Sequence, residues 1–252
     1  MNEWLALGPL ALAVCAMALF AGGFSKGAVG IGLPLVSVPL IATFVSVPKA
    51  LALLTIPLFV TNIWQCLHGG HFPHVLRRFW PMALVLILGI GAGTQLLVNL
   101  DQRTLYLVMG LMVLVYPVLS VLNPAFRVPP PAEPWLGPVI ALPSGMIGGM
   151  SGFFGPPLIL FLAGLKLNKD VFTASVALIF LSGAVALSVF LAGHGILGRD
   201  DALASAAALA PALAGIYLGQ RVRARISQQV FERALLVVLV LIGLNLLRRS
   251  LT

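Results

Sequence analysis

Eight stretches of this chain, residues 5–25, 27–48, 50–76, 79–100, 104–126, 134–165, 171–198 and 202–220, contain no Asp, Glu, Lys or Arg. A helix that crosses ~30 Å of hydrocarbon needs about 20 mainly apolar residues, and most of these runs are long enough. Charged residues make up 9% of the chain, against roughly 25% in ordinary globular domains, so a water-soluble fold would have little with which to cover its surface. The runs are also too long and too continuous for an outer-membrane barrel, whose strands read as ~10-residue alternating segments. The chain therefore reads as an all-α polytopic membrane protein embedded in a lipid bilayer.

Within that class the formal charge of +8 does not point to nucleic acid. The basic residues fall in short loops, where Lys and Arg orient spans. One set of loops holds Arg77, Arg78, Arg127, Lys166, Lys169, Arg221, Arg223, Arg225 and Arg233; the opposite set holds Lys49, Arg103, Arg199, Arg248 and Arg249. The richer set is expected in the cytoplasm, with both termini extracytoplasmic and the chain multi-pass in a bacterial-type inner (plasma) membrane. Cys15 and Cys66 lie inside apolar runs and read as small hydrophobes. Glu3 is the only charged side chain before the first run, so that run reads as a span and not a cleaved signal peptide.

Two glycine-rich stretches interrupt the apolar pattern: "GGFSKGAVGIGLP" at residues 22–34 and "GMIGGMSGFFGPP" at 145–157. They superpose at one offset, Gly23, Gly27, Gly30 and Pro34 falling on Gly145, Gly149, Gly152 and Pro156. Weaker matches follow in the same order, Gly89 and Gly93 falling on Gly215 and Gly219. The chain thus reads as a first transmembrane repeat (1–122), a Pro-rich linker (123–134) and a second repeat (135–252). Each repeat opens with a Gly-broken helical hairpin followed by three transmembrane helices. Prolines at 124, 129, 130, 131 and 134 argue against helix in the linker. The loop charges give the halves opposite sense, which is the inverted repeat of secondary transporters. Whether the hairpins span or re-enter is not legible at this level.

Breaks at corresponding places suggest half-helices meeting at a midplane site. Glycine allows positive φ and close approach to a ligand, and a helix N-terminus favours anions. Pro34, Pro156 and Pro157 suit the first turn of an outgoing half-helix. Lys26 adds a full positive charge beside Ser25. The candidate substrate-binding residues are Ser25, Lys26, Gly23, Gly27, Gly30 and Pro34 at the first break, and Ser144, Gly145, Gly149, Ser151, Gly152, Gly155 and Pro156 at the second. Asn62 and Gln65, three apart on one helix face, are further candidates. Two plainer readings stay open: glycines in membrane helices also permit close packing, and Lys26 could snorkel to an interface.

Enzyme motifs are absent from the sequence: no Walker loop, His-Glu-x-x-His or Gly-x-Ser-x-Gly occurs. His68, His71 and His74 in "HGGHFPH" lack a cysteine or carboxylate to complete a metal site, so no metal and no cofactor is expected. No acidic residue falls within a well-defined span, which leaves no candidate for an intramembrane proton relay.

The two glycine stretches resemble the paired signatures of the sulfite exporter TauE/SafE family, also called the TSUP family. The second resembles its G-x-x-x-G-x-x-G-x-x-G-P-P-L pattern at Gly145, Gly149, Gly152, Gly155, Pro156, Pro157 and Leu158. The resemblance covers essentially the whole chain. Phe153 and Phe154 depart from it, being bulky where the family has small residues. It implies secondary transport, as an exporter, of a small inorganic or organosulfur anion such as sulfite or a sulfonate. A non-transporting membrane scaffold or assembly protein and an anion channel are the alternatives. Homo-oligomerisation is left open.

Overall fold

The structure, a computed structural model, describes residues 4, 6–30, 32–67, 70–122, 127–154, 156–223 and 228–251. Among them the secondary structure is helical: α1 (Gly8–Val29), α2 (Leu33–Ile41), α3 (Val47–Leu67), α4 (Phe72–Asn99), α5 (Gln102–Leu122), a 3-10 turn (Pro130–Ala132), α6 (Glu133–Ser151), α7 (Pro156–Gly164), α8 (Lys169–Gly193), α9 (Arg199–Arg223) and α10 (Gln228–Leu251). Among the described residues, five segments are long and apolar enough to cross a membrane: Gly8–Ala28, Val47–Leu67, Phe72–Asn99, Asp170–Gly193 and Arg199–Val222. Leu10, Met17, Trp64, Leu88, Val189 and Leu241 stand exposed, as outer faces do when the solvent is lipid, which is as apolar as leucine.

The end of the linker differs from the sequence expectation. Glu133 and Pro134, read as the end of the linker, belong to the first turn of α6, where proline sacrifices no hydrogen bond. Ahead of them Pro129 is extended and residues 130–132 form the 3-10 turn; residues 123–126 lie outside those described. For the same reason α4 can begin at Phe72 with Pro73 in its first turn, and His74 is helical. His68 lies outside the described residues. Elsewhere, Asp101 caps α5. Its carboxylate accepts from the Thr104 hydroxyl at 2.6 Å and from the Arg103 and Thr104 N–H groups at 3.0 and 3.2 Å. These bonds, the Thr104 hydroxyl foremost, hold its carboxyl below the usual carboxylate range.

The chain divides into two compact units that interleave its halves. One comprises residues 1–57, 100–117 and 191–252; the other comprises 58–99 and 118–190. In the first, α1 packs along α9 and α2 folds back on α1. In the second, α6 packs along α4 and α7 folds back on α6. Each unit therefore takes its broken hairpin from one half of the sequence and the helix packed against it from the other.

Glycines make both close pairings. In the first unit a Cβ at Gly23 or Gly27 would collide with the Ala212 or Ile216 carbonyl, and one at Gly215 or Gly219 with the Phe20 or Phe24 carbonyl. In the second, Gly89 and Gly93 meet the Leu142 and Met146 carbonyls, while Gly145 and Gly149 meet those of Leu86 and Ile90. In both pairs the numbering rises together, so the helices run parallel. Backbone contact of this kind is what small residues four apart permit in a membrane helix.

Candidate functional site

The first break is set by two glycines. α1 continues unbroken to Val29 and is capped by Gly30, whose φ of 91° is left-handed and whose N–H donates to the Lys26 carbonyl at 2.7 Å. Gly32, with φ of 121°, precedes α2, and Pro34 sits in the first turn. α2 then runs antiparallel to α1: the Ser37 hydroxyl donates to the Ala18 carbonyl at 2.9 Å, and Leu33 lies against Gly22. The N-terminus of α2 is thereby brought beside residues 22–25 of α1, with buried Ser25 against Gly32.

Lys26 follows Gly22 by one turn on the same strip of α1 and is 8% exposed. It is buried, which is not what a snorkelling side chain does. Its surroundings have two electrostatic consequences. The last turn of α1 carries the negative end of that helix, which a cation stabilises. The first turn of α2 presents N–H groups that have no acceptor within the helix, at its positive end. A cation and a helix N-terminus side by side can both donate to one oxyanion.

The incoming members of both hairpins are full-length helices, not half-helices. α1 has 22 residues and α6 has 19, about 33 and 28 Å at 1.5 Å per residue. Only the outgoing α2 and α7, nine residues each, are too short to cross. The sequence could not separate these cases, because glycine within an apolar helix breaks it only where φ turns positive.

The second break repeats the backbone and changes the side chains. Gly152, φ 71°, caps α6 and donates to the Gly148 carbonyl at 2.7 Å. Pro156 opens α7, and Gly155 lies outside the described residues. The Ser151 hydroxyl donates to the Ile147 carbonyl at 2.8 Å and accepts from the Phe153 N–H at 3.2 Å. The Ser144 hydroxyl is buried with no hydrogen-bond partner among the described residues. Phe154, 1% exposed, is packed against Gly148 of α6 and Gly183 of α8, edge-on to Phe180 with ring centroids 5.3 Å apart.

Sorted by geometry, the candidates separate. Gly23, Gly27, Gly145 and Gly149 face the backbone of a packed helix, so close packing accounts for them. Ser25, Lys26, Gly30 and Pro34 gather at the first break; Ser151, Gly152 and Pro156 lie at the second, with Ser144 about two turns earlier on α6. Asn62, 1% exposed, and half-buried Gln65 lie on α3 in the same compact unit as the second break.

One cluster was missed. Asp201, in the first turn of α9, is 5% exposed. It accepts from Lys49 Nζ at 2.9 Å, Trp4 Nε1 at 3.1 Å and the Gly198 N–H at 3.1 Å. Below it, the Thr55 and Ser205 hydroxyls meet at 3.2 Å, and Ser205 Oγ accepts from the Ile56 N–H at 2.9 Å. This corrects two expectations. Lys49 belongs to an ion pair and not to a solvated loop, and an acidic side chain does lie within a spanning segment, Arg199–Val222. The acidic pair at 200 and 201 after Gly198 is a helix-start signal that marks the carboxylate but not its partners. Asp201→Ala is expected to destabilise the protein by about 1–3 kcal/mol, chiefly by leaving the buried Trp4 N–H unsatisfied. Lys49 is exposed enough that its charge adds little. Asp201→Asn, which keeps an acceptor, should lose less; denaturant midpoints of the two variants would check the order.

A family model described as sulfite exporter TauE/SafE matches residues 14–246, a span that includes both breaks and both glycine-paired helices. Comparison with the curated proteins and with the solved structures finds no match.

Proposed function

Since the chain belongs to the sulfite exporter TauE/SafE family, a family of membrane transporters of sulfur anions, we propose that it exports a small sulfur oxyanion or sulfonate, sulfite being the first choice. Transport proceeds by alternating access of two inverted halves in a bacterial-type inner membrane, with both termini extracytoplasmic. The observation that carries this reading is the burial of Lys26 beside the N-terminus of α2. Lys26 and the first-turn N–H groups of α2 hold the anion; Ser25 and the positive-φ turn at Gly30 shape the cradle. Lys26 and Asp201 are the only charged side chains that are buried among the described residues, and Asp201 is already occupied by Lys49, Trp4 and its own helix cap. On this reading the substrate is the charge that moves.

Direction follows from that charge. Moving one elementary charge across 100 mV is worth ~2.3 kcal/mol, and the cell interior is negative. A monoanion leaving as net charge is therefore favoured roughly fiftyfold at that voltage. Proteoliposomes loaded with sulfite are expected to empty faster under a negative-inside potential than at zero potential. Rates indifferent to voltage but accelerated by a pH gradient would replace electrogenic efflux with proton-coupled exchange. The scaffold alternative draws support from the eight glycines of the two helix pairings. Thermal stabilisation of the purified protein by sulfite, lost in Lys26→Ala, would exclude it.

A further inference from the structure

The two breaks share a backbone plan but not a chemistry. At the offset of the repeat (145 − 23 = 122), Lys26 corresponds to Gly148 and Gly32 to Phe154. Where the first break carries a cation, the second carries a bare Cα, and an aromatic ring lies on it. A Cβ at Gly148 or at Gly183 would overlap the Phe154 ring, so the two glycines form a notch that holds it. The Ser151 hydroxyl accepts from the N–H of Phe153 and so fixes the backbone on the N-terminal side of Phe154. Its side chain is the part left to turn.

One turn before Gly148 on the same strip of α6 lies Ser144, whose hydroxyl is 1% exposed by residue and has no partner among the described residues. A serine in a helix can bond the carbonyl four residues back, as Ser175, Ser182 and Ser188 do. Ser144 does not. A buried hydroxyl without a partner is costly, and this one lies one helical turn from the glycine on which the Phe154 ring is seated.

The geometry points to Phe154 as a movable plug over a hydroxyl subsite at Ser144, which donates to an oxygen of the transported oxyanion when the ring leaves its notch. The inference rests on the reading that the chain carries an oxyanion. It makes the two breaks unequal: one holds charge, and the other opens and closes.

The test is the reactivity of Ser144→Cys toward a small membrane-permeant thiol reagent, in the full chain carrying Cys15→Ala and Cys66→Ala in proteoliposomes. With Phe154 in place labelling is expected to be slow. Phe154→Ala should accelerate it about tenfold or more, because an open state populated at ~10% or less becomes the only one. Phe154→Leu keeps an apolar side chain for folding but cannot fill the notch, and should act in the same direction. Methanesulfonate, which does not consume the reagent as sulfite would, should then slow the labelling. Equal rates with and without the ring overturn the plug. Acceleration without protection by methanesulfonate overturns the oxyanion subsite. Failure of the intact protein to bind methanesulfonate in a calorimetric titration would count against the transport reading as well, whereas the plug stands or falls on the Phe154 contrast alone.

Discussion

Gly27→Leu is expected to leave little or no folded protein. A Cβ at this position would collide with the Ile216 carbonyl, and the nearest atoms on that side of α1 are backbone atoms that cannot turn away. The only relief is to part α1 from α9, which also undoes the reciprocal contacts of Gly215 and Gly219 with the Phe20 and Phe24 carbonyls. Overpacking in a tolerant core costs about 1–3 kcal/mol. Here the intruder meets a rigid helix, so a loss at or above about 3 kcal/mol is expected, a large share of a total that is typically 5–15 kcal/mol. Even Gly27→Ala should show most of the effect. Gly93→Leu is expected to do the same to the pairing of α4 with α6. Gly30→Leu is the contrast: a Cβ there would meet nothing within 4 Å, and the left-handed φ costs about 1–2 kcal/mol. That variant should fold. Thermal unfolding in detergent, followed by the helical signal, would rank the three. Equal stability of Gly27→Leu and Gly30→Leu would remove the close pairing from the account.

Lys26→Ala is expected to abolish binding while leaving the fold intact. Truncating one member of a buried, hydrogen-bonded charge pair costs about 2–5 kcal/mol, which is a loss of roughly thirtyfold or more in the affinity for sulfite. Lys26→Arg should rescue little, since a planar fork does not replace a compact ammonium at a buried position. The control is Arg77→Ala, an exposed residue of α4, and not Lys49→Ala, because Lys49 is bound to Asp201. Calorimetric titration of the four proteins with sulfite would measure it. Undiminished binding by Lys26→Ala would mean that Lys26 only complements the negative end of α1.

The sequence by itself determined that the chain is helical and membrane-embedded, and where its two hairpins turn. Absence of charge over runs of membrane length excludes water as the solvent. Gly30 and Gly152 mark the breaks because a left-handed turn suits glycine, and proline soon after each suits a helix start. Spacing also placed Gly23 with Gly27 and Gly145 with Gly149 on common faces. What spacing could not say is what lies across those faces. A period of 3.6 residues reports which side chains share a side, not which segment of chain will be folded against it. The partners came from the opposite half of the sequence: α9 for α1, and α4 for α6. Tertiary structure therefore turned four candidate ligand glycines into contact points. It also brought Asp201 to Lys49 and Trp4 across 152 and 197 residues, and seated Phe154 between Gly148 and Gly183. None of these pairings carries a local signal, because each depends on where the chain returns.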